Sequence, residues 1–166
     1  MDPLTDSNSM LQSNNMPLMS WDFFMDSYHR RMVTAKKETE LEKVMAFAKQ
    51  FDWQHNLEND FSEHDYEALI ITDQNQKIIW VNEGFTTMTG YTKTFAVNKT
   101  PRFLQGKETS PETKARIKSK IAQGKPFQDI ITNHRKDNST YKCEVNIIPL
   151  YGAETTHFIA FERKVA

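Results

Sequence analysis

The sequence predicts an α+β chain: a five-stranded antiparallel sheet with short helices on one face, plus an N-terminal helical extension. Three observations carry this. Apolar residues recur at spacings of three and four over residues 20–51, and the period changes to strand type from Ala68 onward. From Ala68 the runs follow the order ββααααβββ. Hairpin-type turn sequences join the strand runs, which favours antiparallel pairing with the helices gathered on one face.

Each element has a local reason. Residues 1–19 are rich in Ser, Asn and Met without either period, so a disordered tail is expected, with Met10, Met16 and Met19 as alternative starts. Ser20 is a candidate N-cap, and Asp22 suits the first turn of a helix. Trp21, Phe24, Met25, Tyr28, Met32 and Ala35 then share one face. The stretch 36–40 is polar all round, and Leu41, Val44, Met45, Ala48 and Phe51 restart the face in a shifted phase. One long helix with a weak middle, or two short ones, is expected. Residues 52–65 read as a loop with room for one helical turn. The helical extension and linker thus cover 20–66, and the sheet domain 67–166. Runs 68–73 and 77–81 form a hairpin around the turn chemistry of Asp73, Asn75 and Gln76. Asn82 caps a short helix that Gly90 stops. Short helical turns over 92–104 are interrupted by Pro101. Ser110 caps a helix that Pro111 opens and Gly124 closes. Runs 127–135, 140–150 and 157–164 complete the sheet.

Composition excludes several classes. At roughly 150 residues per domain, 166 residues suit one domain. An apolar fraction of 38% supports one core beside a polar extension. The 21 basic and 22 acidic residues leave −1, which argues against a strongly basic nucleic-acid binder or a polybasic membrane anchor. That balance is a cancellation: residues 1–66 hold 6 Lys+Arg and 12 Asp+Glu (−6), and 67–166 hold 15 and 10 (+5). The single cysteine, Cys143, excludes an intramolecular disulfide and a Cys-only zinc site. With no long apolar run and no secretory signal, a cytoplasmic setting is expected. The five histidines lack metal-ligand spacing, and no nucleophile elbow, Gly-rich phosphate loop or kinase signature occurs. Neither a metal nor an enzymatic activity is expected.

Trp80-Val-Asn82, Phe85 and Thr89-Gly-Tyr91 make up a phrase similar to that of the PAS domain, and the element order of 67–166 resembles it too. The resemblance covers about 100 residues and leaves out the first 66. It is closest to the LOV subset, the flavin-binding blue-light sensors. Residues 85–106 (FTTMTGYTKTFAVNKTPRFLQG) match the LOV pattern without a gap, and Arg102-Phe-Leu-Gln-Gly106 is the most specific part. Asn133 falls where LOV domains place an asparagine facing the flavin ring. The departures are as informative. The LOV cysteine that bonds to the excited flavin stands just before this arginine, and here that position is Pro101, so no cysteinyl adduct can form. The flavin-contacting asparagine before it is Thr100. The second ring-facing asparagine is Cys143, the last-strand glutamine is Glu162, and a second phosphate-binding arginine is Lys118.

The resemblance implies a PAS fold and a sensory or signalling module acting through protein–protein interaction, with small-ligand binding in the helix–sheet cleft. No bound cofactor is the favoured expectation, and FMN is the first candidate if one binds. If a flavin binds, the site residues are Arg102 and Lys118 for the phosphate, with Gln105, Asn133, Cys143 and Glu162 as polar groups of the pocket. Glu162, if ionised, only accepts, and would repel a ring carbonyl. Without a flavin, Arg102 is one half of a surface ion pair, Gln105 a helix cap and Asn133 an ordinary polar strand residue. Trp21, Phe24, Met25 and Tyr28 need cover, either from the outer face of their own sheet or from the same helix of a second copy in a homodimer. The basic segment 99–125 holds 8 Lys+Arg against 2 acids; it either faces solvent or meets the acidic N-terminal half, an anionic partner or a nucleotide phosphate. In this reading no output domain follows, and the signal passes through the N-terminal helix to a partner protein; nucleic acid and membrane are not expected partners.

Overall fold

The computed structural model describes residues 18–166, and the expectations placed on residues 1–17 lie outside the described residues. Helix α1 (Leu18–Phe51) is one unbroken helix of 34 residues. The polar stretch does not interrupt it, because Lys and Glu are good helix formers without burial. Ser20 is therefore inside the first turn rather than at the cap, and Leu18 and Met19 are helical rather than part of a tail. The described residues fall into two units, one ending at Lys37 and the other spanning Glu38–Ala166. In the first unit Trp21, Phe24, Met25, Tyr28 and Met32 are each more than half exposed.

The second unit begins with the last turns of α1. Helix α2 (Leu57–Glu63) follows, longer than the single turn expected within that loop; Asn56 caps it by accepting from the Asn59 N–H at 3.1 Å. Then come β1 (Ala68–Asp73), β2 (Ile78–Val81), α3 (Glu83–Thr89), α4 (Lys93–Ala96), a 3₁₀ turn (Pro101–Leu104), α5 (Pro111–Ala122), β3 (Phe127–His134), β4 (Thr140–Tyr151) and β5 (Thr155–Val165). The strands form one antiparallel sheet in the order β2-β1-β5-β4-β3. The first and last strands thus pair, with Leu69 opposite Phe161.

Alternation along the strands sorts side chains into two cores. Ile70 joins Ile78, Val81, Phe85, Leu104 and Val145 on the face roofed by α3–α5. On the other face, Leu69, Ile71 and Phe161 join Val44, Ala48 and Leu57. The short helices α3–α5 lie on one face as expected. The opposite face is covered by the end of α1 and by α2.

Asn82 ties these layers together. Its buried Oδ1 accepts from the Phe85 N–H at 3.0 Å, which caps α3, and from the Leu69 N–H of β1 at 2.9 Å. Its Nδ2 donates to Glu40 Oε1 of α1 at 2.9 Å, and Glu40 Oε2 accepts from the Tyr66 hydroxyl at 2.8 Å. Gly84 is required beside it: a Cβ there would lie 1.7 Å from the Glu67 carbonyl oxygen. Asn82→Ala removes a cap and strands a buried N–H and a buried carboxylate. The expected loss in urea unfolding is about 2–4 kcal/mol. A loss below about 1 kcal/mol, the size of a cap alone, would contradict the tying role.

Candidate functional site

Between α5 and the sheet lies a cavity of about 370 Å³, inside the roughly 300–1,000 Å³ of small-molecule sites. The apolar part of its sheet wall is Ile70, Ile131, Val145, Ile147 and Ala160. Its roof is the 3₁₀ turn, with Pro101 and Leu104, and α5, with Ile117 and Ile121.

Helix α5 meets the sheet through both packing and charge: Ile117 packs against the core beneath it, and a charge cluster ties its edge to β3. None of its residues is fully buried. Asp129 of β3 accepts two parallel bonds from Arg116, Nε to Oδ2 and Nη2 to Oδ1, both 2.7 Å, and a third from Lys120 Nζ at 3.1 Å. The Arg116 guanidinium holds the Asp129 carboxyl well below the usual range, against the opposing effect of burial. The basic helix takes this carboxylate from its own sheet. The roof is fixed again at Thr109, whose Oγ1 accepts from the Gly106 N–H at 2.9 Å and donates to the Thr132 carbonyl at 2.6 Å. Gly106 is needed there, since a Cβ would come within 2.6 Å of the His134 ring.

Five of the six residues singled out from the sequence border this one cavity: Arg102, Gln105, Lys118, Asn133 and Glu162, with Pro101 beside them. Cys143 does not border it. It is fully buried behind Glu162, with Sγ 3.6 Å from Glu162 Oε2. Burial pushes the thiol pKa up, so Cys143 keeps its proton and is not a nucleophile. Lys114, Thr72, Gln76 and Phe158 also border the cavity and were missed. Lys114 was detectable, one helical turn before Lys118 on the same face. Thr72 and Gln76 carried no local signal.

The polar groups are of two kinds. Arg102, Lys114 and Lys118 have no ion-pair partner among the described residues. Asn133 and Glu162 are buried, and Gln105 is half-buried. Burial raises the Glu162 carboxyl from 4.5 to about 7, and its hydrogen bond with Cys143 opposes this only in part. A large share of Glu162 is thus protonated near neutrality and can donate as well as accept. The repulsion expected of an ionised carboxylate is relieved to that extent.

A five-stranded antiparallel sheet roofed by short helices, with a polar-edged cavity between, defines a small sensory domain. The family model for the PAS domain matches residues 67–163, and the chain belongs to that family. It is similar to a blue-light photoreceptor of Listeria monocytogenes, 37% identical over 102 residues, covering 59% of this chain and 40% of that protein. It is also similar to blue-light-activated histidine kinase 1 of Erythrobacter litoralis, 33% identical over 92 residues, covering 54% of this chain and 26% of that protein. Among solved structures, the LOV domain of an Erythrobacter litoralis blue-light activated histidine kinase superposes with a TM-score of 0.58 at 27% identity, over 62% of this chain and 99% of that one. The chain is thus a PAS sensory module of LOV-like kinship, spanning under half the length of these two relatives. No helix among the described residues is long and apolar enough to cross a membrane.

Glu162 gives the domain a pH signature. Its folded pKa lies above its unfolded value, so the native state binds the extra proton between pH 4.5 and about 7. The stability it contributes is full below pH 4.5 and is lost as pH rises through about 7. The loss is about 3 kcal/mol at most. Glu162→Gln should remove this slope, so the variant's stability relative to the parent rises across that window and then levels. Urea unfolding at several pH values checks this; parallel stability curves would show that Glu162 titrates normally.

Proposed function

We propose that this PAS module takes up flavin mononucleotide in the cavity beneath α5, non-covalently, and acts as a light or redox sensor without a cysteinyl adduct. One observation carries the reading: cations without an ion-pair partner among the described residues border an apolar slot that also presents amide groups and a carboxyl whose pKa is raised by burial. A flavin nucleotide needs those three chemistries together. Arg102 and Lys118 would hold the phosphate, Arg102 bidentately. Gln105, Asn133 and the carboxyl of Glu162 offer the donors and acceptors for the ring's polar edge. The flavin, when bound, supplies light absorption and redox chemistry. The chain's own residues bind it, orient it and exclude water. Pro101 has no thiol and offers no covalent bond. The similarity to blue-light photoreceptors supports the reading.

Signalling requires that the occupied and empty states dock α1 differently. Glu162 sits on β5, whose neighbours Ile159 and Phe161 pack with Val44 and Ala48 of α1. A change in the protonation of Glu162 therefore has a short route to the helix. We read the domain itself as non-catalytic and cytoplasmic, with a signalling protein downstream. The second reading is a protein-interaction module with an empty cavity, favoured by the exposed aromatic stripe of α1.

Uptake separates the two. After incubation with FMN and desalting, the protein is expected to keep a visible flavin spectrum at near-equimolar ratio. Arg102→Ala is expected to weaken FMN binding about 10- to 100-fold, the equivalent of one charge-assisted hydrogen bond. A protein that stays colourless would sink the flavin reading and leave the interaction module.

A further inference from the structure

We propose that His157 is a proton-operated catch for the end of α1: when its ring takes up a proton, Phe51 and Trp53 come away from the sheet. The flavin reading is not needed for this. His157 is buried on β5. Its ring lies 4.2 Å from that of Phe51, the last residue of α1, and 5.1 Å from that of Trp53. Trp53 folds back on the helix, its backbone N–H donating to the Ala48 carbonyl at 2.9 Å. Its indole Nε1 donates to His157 Nδ1 and to Thr156 Oγ1, both at 3.3 Å. An indole nitrogen only donates. His157 Nδ1 must therefore accept, which makes the ring neutral with its hydrogen on Nε2. The Thr156 hydroxyl, 2.8 Å from the same Nδ1, is a second donor to it.

A proton on Nδ1 sets one N–H against another and breaks the bond to Trp53. The surroundings do little for the new charge. On β1, Asp73 stands opposite His157 and favours the proton, but its Oδ1 already accepts from the Asn75 and Lys77 N–H groups. On β4 the opposite residue is Leu150. At the end of α1 and in the loop after it, Phe51 and Trp53 are uncharged, Asp52 accepts from the Gln54 side chain at 3.1 Å, and His55 pairs with Asp60 at 2.6 Å. Burial lowers the His157 pKa from 6.5, and the charge of Asp73 opposes this only in part. As pH falls below 6.5 the unfolded chain therefore takes the proton first. The stability His157 contributes is present above that pH and is lost as pH falls through its folded pKa. Glu162 acts in the opposite sense between pH 4.5 and about 7. The two offset each other in global stability, so the local opening at the end of α1 is what reports His157.

The test follows the full-length protein by nuclear magnetic resonance between pH 7 and 5. The His157 ring is expected to titrate below 6.5, with the Trp53 indole N–H signal moving along the same curve. Amide exchange over residues 48–53, corrected for its intrinsic pH dependence and measured against β4, should rise at least about threefold across that range, the mark of a local opening. His157→Gln keeps an acceptor for the indole but cannot take up a proton, so its exchange ratio should stay flat. Both proteins keep Glu162, so its titration cancels in the comparison. Far-UV circular dichroism verifies folding of the variant, and if it does not fold, the ring titration and the indole signal of the parent decide. A His157 ring titrating at or above 6.5, an indole signal that ignores the titration, or an equal rise in exchange in parent and His157→Gln would each overturn the proposal.

Discussion

The bidentate contact of Arg116 with Asp129, joined by Lys120, ties the edge of α5, the helix that roofs the cavity, to β3 of the sheet. A roofing helix usually earns its position by burying an apolar face. Here α5 buries no residue completely, and Ile117 and Ile121 border the cavity. Charge-assisted bonds at one edge and the Thr109 bridge to β3 add to the packing of Ile117 against the core. Such a roof can adjust to an occupant without unpacking the core, because the bonds that position it lie at its rim. The apolar area that α5 leaves against the cavity is the part of the fold that a bound ring would complete.

The sheet connects this cavity to the other side of the molecule. Residues that alternate along β5 serve both faces: Ala160 and Glu162 border the cavity, while Ile159 and Phe161 pack with Val44 and Ala48. The hydrogen bonds from Asn82 and Tyr66 to Glu40 give a second tie between the sheet and α1. A shift at the cavity wall is therefore met directly by the packing of α1. The protonatable group on that wall, Glu162, is the one the LOV resemblance places where a glutamine usually stands. Its raised pKa gives it part of the donor capacity a glutamine has, along with a sensitivity to pH that an amide lacks.

What could be read from the sequence was local. Asn82 and Gly90 bound α3, Ser110 and Pro111 open α5, and Asp73 closes the first hairpin by accepting from the Asn75 and Lys77 N–H groups. Each acts within a few residues, so its spacing is its signal. The placement of β5 between β1 and β4 has no such signal, because residues almost a hundred positions apart must meet. The same holds for Thr72 and Gln76, which reach the cavity only through that topology. The covering of the outer face by the end of α1 was hidden because the stripe near Trp21 is the stronger apolar pattern, yet it stays exposed. Cys143 aligned with a pocket position, but its place behind Glu162 follows from the pairing of β4 with its neighbours. The charge state of Glu162 could not be read at all, since it is set by burial and not by residue type.

The central claim is that α5 roofs a ligand site and is completed by its occupant. Amide hydrogen exchange, followed residue by residue across α5 with and without FMN, tests it most directly. The account predicts fast exchange along α5 in the free protein, slowed at least tenfold when FMN is added, with β1 and β5 protected in both. Exchange along α5 that is unchanged by saturating FMN would contradict it.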